Sequence, residues 1–179
     1  CLSMMDDPGM RFSYNISAGN GKIVQMEDYM DFLVDDEDTK VVSIYIEGVK
    51  NADKFAAVLK KAAEKRKPVV ILKAGRSAKG GAIAASHTGS LSGSDASFDA
   101  VLKKFGAIRV DDLEELIAMS LMLSTMKRMP EKATFASMNL SGGETGICAD
   151  VGSLNGIEYP DFTEETLKKL KEQLPSYAS

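Results

Sequence analysis

The sequence predicts an α/β fold in which a parallel sheet has helices on both faces. Two patterns support this prediction. Strand-like and helix-like segments alternate along the chain, and the strand-like segments are continuous β-branched and apolar runs without regular polar alternation. Ligands of such sheets bind beyond the carboxyl ends of the strands. The turns that follow Ser17, Ile46 and Leu72 are therefore where we expect functional residues.

Short apolar segments predict the strands. Residues 41–46 and 69–72 are long enough for strands but too short for helices, and the second follows a proline, whose missing N–H does little harm at a strand start. Two further strands are predicted at 12–17, which ends in a glycine-containing turn at 18–21, and at 108–110.

Apolar residues at helical spacing predict the helices between these strands. Later helices follow residue types that cap helices, namely Asn51, Ser94 or Asp95, and Asp111 or Asp112. The first helix is predicted from Met26, Tyr29, Met30 and Leu33. The predicted buried faces of two later helices are Phe55, Val58, Leu59 and Ala62, and Leu113, Leu116, Ile117 and Leu121.

A charged segment that contains a proline predicts a linker at 128–132. It would separate a first domain at 1–127 from a second at 133–179. The second has a predicted strand at 133–138, a glycine turn, a helix to about Leu154 and a last helix capped by Thr163. Because these are too few strands to close a core, we expect the second domain to be incomplete. A first residue other than methionine also indicates a chain cut from a longer protein.

Composition narrows the function classes. The 179 residues are 44% hydrophobic and 27% charged, with a formal net charge of −4, and this acidic balance argues against a nucleic-acid-binding surface. No apolar run approaches the roughly 18 residues of a membrane span. Two cysteines, Cys1 and Cys148, do not make a disulfide framework, so a cytoplasmic protein is expected.

His87, the single histidine, stands among small residues: Ser86, Thr88, Gly89 and Ser90. Taken alone, a loop histidine is most simply a solvated surface residue. The small neighbours, however, leave backbone N–H groups accessible to an anion, and a neutral imidazole is an available nucleophile near neutral pH. Without a second histidine, a histidine metal cluster is excluded.

Glu47 ends the strand predicted at 41–46. One interpretation is a solvated acid at a strand end. The other is an acceptor for one N–H of an imidazole, which would fix the tautomer and leave the second nitrogen free to attack.

Two glycine turns are candidates for phosphate binding. Ser141, Gly142 and Gly143 lie between a predicted strand and a helix, where they either satisfy turn geometry or bind phosphate at the helix N-terminus. The glycines within 75–80 have the spacing of the first half of a P-loop. The required lysine and Ser/Thr do not follow, so a Walker motif is excluded.

These motifs together resemble the NDP-forming (ADP-forming) acyl-CoA synthetases, which include acetate:CoA ligases and are relatives of succinyl-CoA synthetase. The resemblance extends over nearly the whole chain. Its most specific part is the Ser-His-Thr-Gly-Ser-Leu segment with a glutamate upstream, whereas the Ser-Gly-Gly turn is weak. The segments similar to the family's phosphohistidine region are 73–77, 86–91 and 93–95, and further similarity lies at 16–20, 45–48 and 140–143.

The resemblance implies a flavodoxin-like first domain, followed by the truncated start of a second flavodoxin-like domain. It also implies a ligase that couples an acyl-CoA thioester and a nucleotide through an acyl phosphate and a phosphohistidine. His87 would be the phosphoryl carrier and Glu47 would hold its ring. The phosphate-binding residues would be Ser86, Thr88, Gly89, Ser141, Gly142 and Gly143.

The same resemblance implies CoA, ATP or ADP, and Mg²⁺ in the complete enzyme, bound largely outside this chain. The expected partners are a CoA-binding domain, an ATP-grasp domain or subunit, and a small-molecule acyl substrate, without nucleic acid or membrane. No metal site is predicted in the chain itself. An oligomer is expected, and the isolated chain is expected to be inactive. Neither the acyl group nor the choice between ADP and GDP can be read from the sequence.

Two alternatives remain open. One is a non-catalytic module that senses acyl-CoA, although the related domains of that kind tend to lack the histidine. The other is a flavodoxin-like module that binds a flavin or another phosphate-bearing cofactor, for which the absence of tryptophan is a slight counter-argument.

Overall fold

A computed structural model describes residues 10–19, 21–77, 79–80, 94–127 and 134–175 of the chain. The chain divides into two compact units, Cys1–Met126 and Lys127–Ser179. The predicted linker at 128–132 lies outside the described residues, so the predicted domain boundaries stay a prediction. Each unit is considered by itself below.

The first unit contains a parallel three-stranded sheet of order β1-β2-β3 in the described part of the chain. Ile46 pairs with Lys73, and Leu72 pairs with Val110, so the three strands end close to the same edge. The predicted α/β class with a parallel sheet is confirmed. The strands are β1 (Val42–Ile46), β2 (Val69–Lys73) and β3 (Ile108–Val110).

Four helices of the first unit form at the predicted places, and two of them have a side-chain cap, whereas Ser94 makes no capping hydrogen bond. The Asn51 side chain accepts from the backbone N–H of Lys54 at 3.0 Å, and the Asp112 side chain accepts from that of Glu115 at 2.8 Å. The helices are α1 (Met26–Asp35), α2 (Ala52–Glu64), α3 (Asp95–Phe105) and α4 (Leu113–Thr125).

The helices cover both faces of the sheet. Side chains of α1, α2 and α3 form one buried cluster with Ile44 and Ile71, while Leu116 of α4 packs with Val70 and Leu72 on the other face. All five residues of β2 are buried, which explains the continuous apolar run at 69–72.

Strand β1 departs from the expected pattern, because its burial alternates along the strand. Ser43 and Tyr45 are exposed although β1 belongs to a parallel sheet. Coverage of that face of β1 by α4 is partial: Ser43 Oγ lies 2.5 Å from Ser120 Oγ of α4, while Tyr45 stays outside. Only one face of β1 is therefore fully covered, although helices lie on both faces of the sheet.

The strand predicted at 12–17 is also wrong, because these residues form no strand. Phe12, Tyr14 and Ile16 alternate as in a strand, yet all three are exposed. The segment is held by side chains: the Tyr14 ring meets the Phe32 ring edge-on, with centroids 5.4 Å apart. The turn predicted after it is present, since the N–H of Gly21 donates to the Ala18 carbonyl at 3.1 Å.

The second unit contains the helices α5 (Gly142–Leu154) and α6 (Glu164–Gln173), both at predicted places. The strand predicted at 133–138 is reduced to a single parallel bridge between Thr134 and Glu158. Only Gly152 is buried among the described residues of this unit. A strand needs a paired neighbour and a covered face to extend, and the described residues supply neither.

Candidate functional site

Glu47 lies at the carboxyl end of β1 and is half-buried. The backbone N–H of Ala74, which follows β2, donates to the carbonyl of Ile46 at 2.8 Å. The connections that leave β1 and β2 therefore begin side by side. One of them starts with Glu47, and the other leads along the sequence to His87.

Glu27 of α1, a residue that is only 1% exposed, binds the connection after β1. Its Oε1 accepts from the backbone N–H groups of both Lys50 and Asn51, each at 3.1 Å. Two hydrogen bonds offset the cost of burying the carboxyl group. Sequence reasoning missed Glu27, because an acid in the first turn of a helix is ordinarily a solvated residue that favours the helix dipole.

The turn predicted at 18–21 lies against the same connection. The Nζ of Lys50 donates to the Gly21 carbonyl at 3.4 Å. Gly21 has a φ of +50°, and a Cβ there would meet the Val24 carbonyl oxygen at 3.3 Å, so glycine suits this position. Two of the three turns predicted to border a site are thus in contact.

Lys73, the last residue of β2, is buried. Its Nζ donates to the Ala74 carbonyl at 3.1 Å and lies 5.6 Å from the centroid of the Phe98 ring on α3. A cation above an aromatic face is a favourable arrangement in a dry environment. This lysine is therefore not the solvated strand-end residue that its type suggests.

Arg109 of β3 joins α3 to the sheet. Its Nη2 donates to Oδ1 of Asp95 at 2.6 Å, and its Nη1 donates to Oδ1 of Asp99 at 3.5 Å. The hydrogen bond from Arg109 holds the pKa of Asp95 below its usual value, and the positive charges of Lys73 and Arg76 add to this effect. Sequence reasoning missed Arg109, because an arginine in a short strand is ordinarily solvated and its acidic partners lie on another element.

The residues predicted to carry the chemistry are partly outside the described residues. His87, Ser86, Thr88 and Gly89 fall in 81–93, which the structure does not describe. Their roles, together with that of Glu47, stay predictions.

Ser141, Gly142 and Gly143 begin α5 in the second unit. The Ser141 side chain accepts from the backbone N–H of Glu144 at 3.2 Å, and Glu144 Oε2 accepts from that of Leu140 at 3.0 Å. The serine thus caps the helix by satisfying a backbone donor of its first turn, while the glutamate binds the N–H of the residue before the cap. Neither Gly142 nor Gly143 has a positive φ, and a Cβ on either would meet nothing closer than 3.9 Å. The structure therefore shows no geometric need for glycine here, and phosphate binding at this helix end stays a prediction.

An open groove runs along the carboxyl edge of the first unit's sheet, on the side of α4. It is bordered by strand-end residues and by the acidic first turn of α4. The lining residues are Tyr45, Leu72, Lys73, Ala74, Asp111, Asp112, Leu113 and Glu114. No group of three or more His, Cys, Asp or Glu side chains that could hold a metal ion occurs among the described residues.

Residues 1–123 match the family described as the succinyl-CoA ligase like flavodoxin domain. The chain belongs to this family. The parallel sheet of the first unit and its helices agree with the flavodoxin-like fold that the resemblance implied.

Curated relatives extend the match over almost the whole chain. Acetate–CoA ligase [ADP-forming] I of Archaeoglobus fulgidus is 38% identical over 94% of this chain and 24% of its own length. Acetate–CoA ligase [ADP-forming] II subunit alpha of Pyrococcus furiosus is 35% identical over 94% of this chain and 36% of its own length. The chain therefore spans between about a quarter and a third of these relatives, which are ADP-forming CoA ligases.

A solved structure agrees with the same family. The dinucleotide forming acetyl-coenzyme A synthetase 1 of Ca. Korarchaeum cryptofilum, in complex with phosphate and ADP, superposes with a TM-score of 0.78 and 31% identity. The match covers 92% of this chain and 35% of that one. Among the helices that the structure describes, none combines the length and the apolar character that a membrane span needs.

Proposed function

We propose that this chain forms part of an NDP-forming acyl-CoA synthetase and carries its phosphorylated histidine, His87. The observation that carries the proposal is the arrangement of two neighbouring strand ends. The connection after β2 contains the Ser-His-Thr-Gly-Ser segment, and it starts beside Glu47 through the hydrogen bond from Ala74 to Ile46. The curated relatives that this chain is similar to are ADP-forming CoA ligases.

The proposed reaction has three steps, in which one phosphoryl group passes from carrier to carrier. Inorganic phosphate displaces CoA from an acyl-CoA and forms an acyl phosphate. An imidazole nitrogen of His87 then attacks the phosphorus, and the carboxylate leaves. Finally an oxygen of a nucleoside diphosphate takes the phosphoryl group and releases the imidazole. Such transfers depend chiefly on positioning and on charge stabilisation.

Glu47 would accept a hydrogen bond from the imidazole nitrogen that does not react. This bond selects the tautomer in which the other nitrogen has a free lone pair, and it stabilises the positive charge that builds on the ring during attack. Its half-buried position at the end of β1 suits this role, because an acid that is only partly solvated attracts a neighbouring cation more strongly.

Ser86, Thr88 and Gly89 would surround the phosphoryl group with hydroxyl and backbone donors, and Ser141, Gly142 and Gly143 would offer the N-terminus of α5. Anions bind at helix N-termini because the first N–H groups lack partners within the helix. At α5 the carboxylate of Glu144 lies beside this end and accepts from the N–H of Leu140, so it would have to turn away before phosphate could bind.

CoA, ATP or ADP, and Mg²⁺ belong to the complete enzyme in this proposal. They would be bound largely by a CoA-binding domain and an ATP-grasp domain or subunit. The acid-thiol ligase activity, the cytoplasmic location and an oligomeric state are proposed for that complete protein. The isolated chain is expected to be inactive.

The test is phosphate incorporation into the complete protein, supplied with γ-labelled ATP and magnesium. Wild type should take up label that is labile in acid and stable in base, and His87→Ala should take up none. Absence of label in the folded, complete wild-type protein would overturn the proposal and favour a sensing or binding module.

A second pair of variants separates the role of Glu47 from general effects of charge. Glu47→Gln should slow incorporation by about a hundred-fold, the size expected when a reacting group loses its orientation. Glu64→Gln, at an exposed acid in the last turn of α2, should leave the rate unchanged. Equal rates for both variants would remove Glu47 from the mechanism.

A further inference from the structure

Two ion pairs flank the part of the sequence that contains His87. Before it, Arg76 forms an ion pair with Asp111. After it, Asp95 forms an ion pair with Arg109 at 2.6 Å. We call residues 81–93 the histidine-bearing stretch. Its two flanks are thus attached to β3 and to the residue directly after β3.

The two attachments have opposite polarity. In the first attachment the flank contributes the cation, Arg76, and Asp111 contributes the anion. In the second attachment the flank contributes the anion, Asp95, and Arg109 contributes the cation. Arg109 and Asp111 are two residues apart, so one short segment of the sheet edge holds both flanks. Arg109 would repel Arg76, and Asp111 would repel Asp95. The arrangement therefore favours this attachment of the two flanks over the reverse one.

The pair at the second flank is the stronger of the two. The Arg109 side chain is only 11% exposed, and its guanidinium lies 5.7 Å from the Phe98 ring. Its Nε is buried without a hydrogen-bond partner among the described residues. An arginine so placed depends on its carboxylate partner, since removing one side of a buried pair leaves an uncompensated charge.

The pair at the first flank is more exposed, with 44% of Arg76 and 67% of Asp111 accessible. A solvated pair is screened by salt and contributes little to overall stability. It can still bias where the chain leaves β2. A tight turn supports it, since Gly80 N donates to Ser77 Oγ at 3.0 Å and a Cβ on Gly80 would meet the Gly75 Cα at 3.3 Å.

We infer that Arg109 and Asp111 are positioning residues for His87, because they hold the two flanks of the histidine-bearing stretch at one edge of the sheet. This inference rests on the proposed function. Neither residue needs to touch substrate. Their contribution is to limit the positions that the imidazole can take relative to Glu47, and phosphoryl transfer is sensitive to such placement.

The experiment uses the complete protein and the exposed pair, where substitutions do not threaten folding. The variants are Arg76→Asp, Asp111→Arg and the double variant with the charges exchanged. Lys60→Ala is the control, because it removes an exposed ion pair within α2, that with Glu64, away from the flanks. Arg109→Met is added to test the second flank.

Two readouts are taken on each variant: amide hydrogen exchange of peptides covering 78–94, and the rate of phosphate incorporation from γ-labelled ATP with magnesium. Each single charge reversal should speed the exchange and slow incorporation by about ten-fold. The double variant should recover most of both, and Lys60→Ala should change neither. Recovery by exchanged charges shows that both effects come from the ion pair and not from either side chain alone.

The outcomes separate this inference from the proposed function. A wild-type protein that takes up no label overturns the proposed function, and the positioning of a phosphohistidine with it, whatever the exchange shows. A labelled wild type whose reversed variants are labelled at the same rate overturns the inference alone. Faster exchange in the single variants without recovery in the double variant also contradicts it. If Arg109→Met fails to fold, the variants of the exposed Arg76–Asp111 pair still test the inference.

Discussion

The Oε1 atom of Glu27 accepts a hydrogen bond from the backbone N–H of Asn51 at 3.1 Å. The same oxygen accepts from Lys50, so one buried side chain on α1 fixes the chain between Glu47 and the cap of α2. The candidate site is therefore held from the interior of the unit as well as by its own backbone.

We expect Glu27→Ala to destabilise the chain by about 2–4 kcal/mol, because two backbone N–H groups lose the buried carboxylate that accepts from them. Glu27→Gln should cost clearly less, since an amide oxygen can accept both bonds. Urea unfolding of the three proteins measures these differences. Equal losses for the two variants would contradict a hydrogen-bonding role of Glu27.

Ile71 lies at the centre of the sheet and is 0% exposed, whereas Ile23 is 94% exposed. Ile71→Ala should therefore reduce the free energy of unfolding by about 2–5 kcal/mol through lost burial and a cavity. The chemically identical change Ile23→Ala should have an effect within about 0.5 kcal/mol. Denaturant titration gives both values. A loss at Ile23 similar to that at Ile71 would show that the core is placed wrongly.

The Arg109–Asp95 pair predicts a defined pH dependence. The pKa of Asp95 is lowered in the folded chain, so the pair stabilises the fold above the unfolded-state pKa, about 3.9. This stabilisation is lost as the pH falls through the lower, folded-state pKa. Asp95→Asn should thus lower the melting temperature at pH 7, and the difference from wild type should shrink below about pH 4.

Asp53→Asn is the matched control for that prediction, because Asp53 is an exposed acid in the first turn of α2. It should cause a smaller change at pH 7. NMR titration of the Asp95 carboxyl carbon checks the direction of the pKa shift directly. A titration midpoint at or above the unfolded-state value would show that the ion pair does not lower the pKa of Asp95.

Two glycines of α5 predict opposite results for the same substitution. A Cβ on Gly152 would overlap the Tyr159 ring, whereas one on Gly146 meets nothing within 4 Å. Gly152→Ala should cost about 1–3 kcal/mol, and Gly146→Ala should stabilise the helix by up to about 1 kcal/mol. Thermal unfolding followed by circular dichroism distinguishes them. If Gly152→Ala is neutral, Tyr159 does not pack against α5.

Most elements of the first unit could be predicted, because their signals are local. Asn51 and Asp112 are cap residues whose side chains bond the first turn of a helix, and β2 is recognised from a short run that is apolar throughout. The strand at 12–17 could not be assessed in this way. Its alternation is a real strand pattern, but whether a neighbouring strand is available to pair with it is a long-range property.

The residues of the candidate site also differ in whether a local sequence signal identifies them. The Ser-His-Thr-Gly-Ser segment and Glu47 are recognisable from sequence, because the residue types themselves carry the chemistry. Glu27 and Arg109 were missed, since each has an ordinary local context and gains its importance from a partner far along the chain. An acid in a helix and an arginine in a strand become informative only when the fold brings Lys50 and Asp95 to them.

The parallel pairing of β1, β2 and β3 also has a kinetic consequence. Parallel neighbours cannot be joined by a tight turn, so each pairing requires closure of a long segment before its hydrogen bonds form. The β1–β2 connection contains α2 alone, while the β2–β3 connection contains both α3 and the histidine-bearing stretch. We expect β1, α2 and β2 to assemble first and β3 to join last. β3, which together with Asp111 holds both flanks of that stretch, would then be the last strand added during refolding.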